Sequence, residues 1–425
     1  MKIKGFLEDI SGIKRITKAR RDAVENASPD PNYSDPIREI AKEWHPGELS
    51  LLVSDICPAG KDAKSFRFVK PEGGKLPPFF PGQFLVLTLS IDGKPISRPY
   101  SITSSPSDAR KASGFVEITV KKPAKDGFFA DYILNNLSVG DPVTVLMGCG
   151  QFYYEPLRDA KHILALAGGV GITPFVSMAR EIAEGKLDLA LTVLYGAKHE
   201  DELLLWPELL ALQEKCPERL RIVPVIADTS SDNQDTAHDN TATASSESPL
   251  EKSPLQKEQG FLSADLIRRY LCDPDGHPID TSLFICGPQA MYRYLREELP
   301  KLNLPKRRIR FEVYGAVKNI SDYPGYPKEA IGQTFALTVH RGIHEDVIPA
   351  RASESLAVAL ERAGIRLETA CRSGECGFCR TKVLSGSYFV SPENDGRRAA
   401  DREFNYVHAC AAFPTGDLEI RVPIG

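Results

Sequence analysis

The sequence predicts a multidomain protein: an antiparallel β-barrel, then an α/β domain with a parallel sheet, then an α+β module at the C-terminal end. Three observations carry this. Short β-rich runs separated by Gly and Pro turns fill residues 49–157. Strands alternate with helical stretches over 158–320, and cysteines bunch together in the last hundred residues. At 425 residues the chain is too long for one ordinary core.

The barrel rests on runs such as 84–89 and 115–120, rich in Phe, Val, Ile and Thr and punctuated by turns. In the second domain, 162–167 is a buried-strand run that enters a Gly-rich turn and then a helix over 174–184. Further strands follow at 190–195 and 221–227, an order that implies a parallel, nucleotide-binding type of sheet. Residues 229–259 interrupt it with Ser, Thr, Asp, Asn, Glu and Pro. Such a stretch buries too little apolar surface to offset its ordering entropy, so a disordered insert is expected. Tyr323-Pro324-Gly325-Tyr326-Pro327 reads as a linker, with the third module at 328–425. Residues 1–48 form a separate extension: a basic, helix-compatible stretch over 14–21, a break at Ser28-Pro29-Asp30-Pro31, and a second short helix over 35–44. It reads as a solvated helical arm, with a partner-docking arm as the alternative.

A net charge of -4 provides no basic field for nucleic acid. No apolar run approaches a membrane span, and the first residues lack an apolar signal core, so the cytoplasm is expected. Nine cysteines in a chain of this length do not make a disulfide framework. Cys371, Cys376 and Cys379 give C-x4-C-x2-C, with Cys410 further on, which is the plant-type 2Fe–2S spacing. Three thiolates on one loop wrap a small cluster only if the backbone curls, which Gly374 and Gly377 permit. Zinc sites instead pair their ligands as C-x2-4-C with a second pair or histidines.

Pro81-Gly82-Gln83-Phe84 followed by Arg98-Pro99-Tyr100-Ser101 resembles the flavin site of the ferredoxin–NADP reductase superfamily. The resemblance implies Arg98 on the flavin phosphate, Pro99 and Tyr100 beside the isoalloxazine, and Ser101 near N5. Lys121, Gly127 and Ala130 match the family's phosphate turn, although Ala130 stands where a serine is common. Gly148-Cys149-Gly150-Gln151-Phe152 also departs from the family pattern in its first half. FAD is expected, and FMN stays open. Gly168, Gly169, Gly171 and Thr173 form the Gly-rich turn that lets backbone approach a pyrophosphate at a helix N-terminus. Cys286-Gly287-Pro288 resembles the second nicotinamide motif, with Cys286 beside the reacting ring, and Glu312 and Tyr314 match the family's end motif near the flavin. Asp228 ends the strand over 223–227, where a carboxylate accepts hydrogen bonds from a ribose and repels a 2′-phosphate, which favours NADH. Lys198 is a counterweight for NADPH or an ordinary surface charge.

The order flavin barrel, nicotinamide-nucleotide domain and β-grasp ferredoxin is similar to the phthalate dioxygenase reductase and phenylacetyl-CoA epoxidase reductase group. It implies electron flow from NADH through flavin and cluster to a separate acceptor protein: an oxygenase, a hydroxylase or an anaerobic redox enzyme. A flavin reductase without a partner and a cluster-based redox sensor are the alternatives. The last module carries about 12 basic and 13 acidic side chains, so it does not announce a strongly basic partner surface.

Overall fold

The computed structural model describes residues 4–27, 35–44, 46–123, 127–227, 257–312, 315 and 319–423. Two compact units emerge, 1–46 and 47–425. The first holds helices Lys4–Glu25 and Pro36–Trp44. Asp35 caps the second, accepting from the amides of Ile37 and Arg38 at 3.0 and 3.2 Å, while proline at the first helical position sacrifices no hydrogen bond. No described helix is long and apolar enough to cross a membrane.

In the larger unit, strands β1 (Glu48–Gly60), β2 (Ala63–Val69), β3 (Phe84–Ile91), β4 (Lys94–Ser101), β5 (Phe115–Lys121) and β6 (Pro142–Cys149) form an antiparallel sheet in the order β4-β3-β6-β1-β2-β5. A bridge between Ile102 and Ile118 joins its two edges and closes the barrel. Phe66, Phe68, Leu85, Leu87, Ile118 and Val145 fill the interior. Along β3, Leu85 and Leu87 point inward, while Phe84 and Val86 are buried against the C-terminal module. Covering both faces explains why this run is apolar at almost every position.

Strands β7 (His162–Gly168), β8 (Ala190–Ala197), β9 (Leu220–Ile226), β10 (Glu258–Gln259), β11 (Thr281–Cys286) and β12 (Ile309–Glu312) make a parallel sheet ordered β10-β9-β8-β7-β11-β12. Apolar clusters cover its two sides. The expected insert ends earlier than Gln259. Glu258 and Gln259 pair with Val225 and Ile226, and the buried Glu258 carboxylate accepts from Tyr270 at 2.7 Å and Arg269 at 2.9 Å. Asp228 and the insert up to residue 256 lie outside the described residues.

Strands β13 (Thr334–Arg341), β14 (His344–Arg351), β15 (Arg380–Val390), β16 (Tyr406–His408) and β17 (Ala412–Arg421) form a mixed sheet ordered β14-β13-β17-β15-β16, with helix Leu356–Arg362 packed on it. The stretch expected as a linker instead belongs to this body. Tyr326 donates to the Ala352 carbonyl at 3.0 Å and packs edge-on to Phe389, in a core with Ile320, Ala330 and Phe413. An aromatic residue with a place for both its ring and its hydroxyl outweighed the turn-forming Pro and Gly around it.

Candidate functional site

The four clustered thiols come together at the end of the third sheet nearest the barrel. The Cys379 and Cys410 sulfurs are 3.3 Å apart, and Cys371 Sγ accepts from the amides of Ser373 and Cys376, each at 3.4 Å. Hydrogen bonds from the Cys376 and Cys410 thiols hold Cys371 well below the ordinary thiol range, so the set favours thiolate at Cys371. The loop curls as its glycines require: Gly374 has φ +90°, and a Cβ there would meet the Asn394 carbonyl at 2.3 Å. His408, buried, bonds through Nδ1 to the Gly374 carbonyl and fixes the curl. The Ser373 hydroxyl is buried with no partner among the described residues. Backbone amides on a sulfur, convergent thiols and an unsatisfied donor fit a 2Fe–2S cluster.

On the barrel, β4 carries Arg98, Pro99, Tyr100 and Ser101 opposite Leu87, Val86, Leu85 and Phe84 of β3. The turn expected to take the phosphate arrives through Phe129, in helix Phe128–Asn136 immediately after Gly127. Its ring lies 6.4 Å from that of Tyr100 and 5.4 Å from the Arg98 guanidinium. Ala130 packs against the barrel core, and Lys121 ends β5 opposite Ala63. Gln83 clamps the Gly148–Cys149–Gly150 segment. Its Nε2 donates to the carbonyls of Gly148 and Gly150 at 2.9 and 3.0 Å, and its Oε1 accepts from the Phe80 amide at 2.8 Å. Burial pushes the Cys149 thiol up to about 11.

Arg98 has a partner that the sequence did not announce. Its NH1 donates to Glu361 of the third module at 3.0 Å and to the Ser97 carbonyl at 2.7 Å. Among the described residues its Nε and NH2 make no hydrogen bond, which leaves one guanidinium edge for a phosphate and fits a flavin.

The two nicotinamide motifs interlock. Parallel pairing sets Cys286 opposite Ala167, so the Gly-rich turn after β7 meets the turn after β11. A Cβ on Gly171 would lie 2.1 Å from the Cys286 carbonyl oxygen, a backbone atom, so only glycine fits. Thr173 opens helix Thr173–Ala183, its hydroxyl donating to the Val170 carbonyl at 2.9 Å. Tyr195 donates to the Gly169 carbonyl at 3.0 Å and pins the turn. On the other motif, the Gly287 amide donates to the Tyr292 hydroxyl at 3.1 Å, and Tyr292 in turn donates to the Glu312 carbonyl. Pro288 precedes helix Gln289–Glu298. These glycine-bearing turns, a preceding strand and a following helix fit a pyrophosphate.

Cys286 and Glu312 face each other across β11 and β12, both buried, and burial raises the Cys286 thiol. A Cβ placed on Gly150 would lie 2.7 Å from the Phe84 ring and 3.7 Å from the Glu312 carboxylate, so Gly150 separates the two. Phe84, paired with Ser101, also shares an apolar patch with Val86, Ala370 and Cys371. Glu312, Ser101 and the cluster loop thus gather around one barrel end. Tyr314 lies outside the described residues. Tyr195, Tyr292, His408 and Glu361 were missed because a single polar residue in an apolar strand or helix carries no spacing signal.

Three family models match in the same order: an oxidoreductase FAD-binding domain over residues 51–154, an oxidoreductase NAD-binding domain over 165–297, and a 2Fe–2S iron–sulfur cluster binding domain over 342–415. The glycine betaine monooxygenase reductase subunit of Chromohalobacter salexigens is 25% identical over 92% of this chain and 99% of its own. One of the subunits of the 1,2-phenylacetyl-CoA epoxidase of Escherichia coli is 27% identical over 87% of this chain and 96% of its own. Among solved structures, phthalate dioxygenase reductase superposes with a TM-score of 0.59 at 22% identity, covering 89% of this chain and 98% of that one.

Proposed function

Because this chain belongs to the ferredoxin–NADP reductase superfamily, with FAD-binding, NAD-binding and fused 2Fe–2S domains, we propose that it is the NADH-oxidising reductase component of a two-protein oxygenase system. One observation carries the reading: Phe84 of the flavin barrel packs with the cluster ligand Cys371 and pairs with Ser101. A flavin held there would supply the conversion of two-electron nicotinamide chemistry into one-electron delivery to a cluster. The protein's own task is to hold each group in line. Gly168, Gly169, Gly171 and Thr173 seat the dinucleotide, Gly287 and Pro288 admit its nicotinamide end, and Cys286 and Glu312 wall that end off from water. Asp228 selects the unphosphorylated ribose. Arg98 and the amides following Gly127 take the flavin phosphate, Pro99 and Tyr100 flank the ring, Lys121 and Ala130 shape the phosphate turn, and Ser101 offers a hydroxyl at the reacting edge. To Tyr314 we assign the ring-face role that the family's end motif implies. Cys371, Cys376, Cys379 and Cys410 hold the cluster, with Cys376 exposed toward an acceptor.

Relatives matched over nearly their whole length include the reductase component of a monooxygenase and a component of an epoxidase, which favours an oxygenase-type acceptor. We assign 49–157 to the flavin domain, 158–320 to the nucleotide domain, the ferredoxin domain to the remainder, and 1–48 to an accessory arm. The cytoplasm, where NADH is made and thiols stay reduced, suits all nine cysteines.

The test is Cys376→Ser. Cluster absorbance and its EPR signal should disappear and cluster-dependent electron delivery should fall at least a hundredfold, while NADH-driven flavin bleaching stays within about twofold, because the barrel and the parallel sheet fold around other cores. Equal loss of both activities defeats the series arrangement.

A further inference from the structure

Glu361 stands on the ferredoxin helix Leu356–Arg362, yet its carboxylate bridges two arginines of different domains. Arg98 NH1 donates to Oε1 at 3.0 Å and Oε2 at 3.2 Å. Arg372 donates from NH1 to Oε1 at 3.1 Å and from NH2 to Oε2 at 3.0 Å. Arg372 directly follows the ligand Cys371, has a left-handed φ of 55°, and gives NH1 also to the Ser97 carbonyl at 3.0 Å. A continuous path therefore runs from the cluster loop through Arg372 and Glu361 to the arginine of the flavin motif. Burial and the neighbouring Arg372 both disfavour charge on Arg98, so this guanidinium needs a fixed anion before any ligand arrives.

We propose that Glu361 is a positioning residue for the flavin phosphate: it pins Arg98 through NH1, presents the Nε–NH2 edge to the phosphate, and so makes flavin retention depend on the docked ferredoxin domain. The proposal rests on the reading of Arg98 as the phosphate ligand. Two effects oppose each other here. A carboxylate one guanidinium away from a phosphate repels it, but the intervening positive charge offsets most of that repulsion. Without the carboxylate, the buried Arg372 and the half-buried Arg98 would be left to share the Ser97 carbonyl with no anion between them, and Arg98 would turn away toward solvent. A bidentate fork needs a fixed plane, so the loss of orientation dominates.

The experiment uses the full chain with its cluster retained, verified by EPR, and its flavin removed, titrated separately with FAD and with riboflavin, which has no phosphate. Arg98→Ala should weaken FAD about a hundredfold and riboflavin hardly at all. Glu361→Gln should weaken FAD about tenfold, the equivalent of one charge-assisted hydrogen bond, leave riboflavin within about twofold, and add nothing in the Arg98→Ala background. Glu361→Asp, which keeps the negative charge but withdraws the carboxylate from the 3.0–3.2 Å contacts to both arginines, should reproduce the FAD defect and serves if the Gln variant does not accumulate. If Arg98→Ala loses FAD while both Glu361 variants bind it normally or more tightly, the positioning role is overturned and the phosphate reading stands. If Glu361→Gln weakens riboflavin as much as FAD, the residue acts on the fold and the proposal fails. If Arg98→Ala binds FAD normally, the phosphate reading itself falls, and the proposal with it.

Discussion

Toward the parallel sheet, the barrel unit contributes Ala59, Ala63 and Phe152 to a core shared with Phe175, Met178 and Phe284. Toward the ferredoxin domain it contributes Phe84 and Val86 to a small patch with Ala370 and Cys371, rimmed by hydroxyls and ion pairs. The charges differ in the same sense. At the first seam, Arg180 is enclosed by Glu117 and Glu208 and bonds the Thr103 carbonyl at 2.8 Å, while Arg67 takes the other oxygen of Glu117 at 2.7 Å. At the second, one carboxylate serves two arginines beside a cavity of about 400 Å³ lined by Thr88, Pro95, Ile365 and Phe378. A shared apolar core makes two domains fold as one. A thin patch with a polar rim holds a docked domain by fewer apolar contacts, so the second seam is the weaker of the two.

The largest expected effect breaks the first seam. Arg180→Met leaves the Glu117 and Glu208 carboxylates facing each other with one cation fewer, in a site where Glu117 is 4% exposed, and should cost about 3–5 kcal/mol of unfolding free energy in urea. A loss below about 1 kcal/mol would make this seam as loose as the other. Thr369→Val removes the 2.9 Å hydroxyl pair with Ser97 across the second seam. About 1 kcal/mol should be lost from the ferredoxin transition alone, seen by calorimetry as a lowered first peak with the barrel transition unmoved. A single shifted transition would mean that the three domains melt as one.

The smallest effect is in pH. Burial lowers the pKa of His162, whose ring nitrogens meet Thr281 at 2.8 Å and Thr192 at 3.1 Å across three parallel strands. A base with a depressed folded pKa stabilises the fold above its unfolded value, 6.5, and that contribution is lost as pH falls from there toward the folded value. Stability of the barrel–sheet body should therefore decline on acidification below about pH 6.5, and His162→Gln should flatten the slope. The ferredoxin seam, built on arginines and a carboxylate, should show no such slope between pH 5.5 and 7.5. A slope that survives the substitution assigns it to another group.

Parts of this site were legible because covalent chemistry imposes spacing. Cys371, Cys376 and Cys379 must reach one cluster from one loop, and Gly171 must admit a backbone carbonyl, so these positions mark themselves in the sequence. Arg98 was legible only by half. Its motif marked it as a phosphate ligand, but its second partner stands 263 residues further along the chain, where Glu361 looks like any helical glutamate. The segment 323–327 misled for the opposite reason: its Pro and Gly residues signal a turn, and nothing local shows that Tyr326 has a cavity waiting in another strand pair.

The sequence by itself determined three modules and their order, and it marked the residues we assign to the cofactors, since periodicity and ligand spacing are local properties of the chain. Tertiary structure alone decided which surfaces those modules share. It put the Phe84 face of β3 under the cluster loop, brought Cys286 opposite Glu312, and placed Glu361 between Arg98 and Arg372. Each of these depends on packing between residues far apart in sequence, where shape and desolvation decide the outcome and the chain's local pattern is silent.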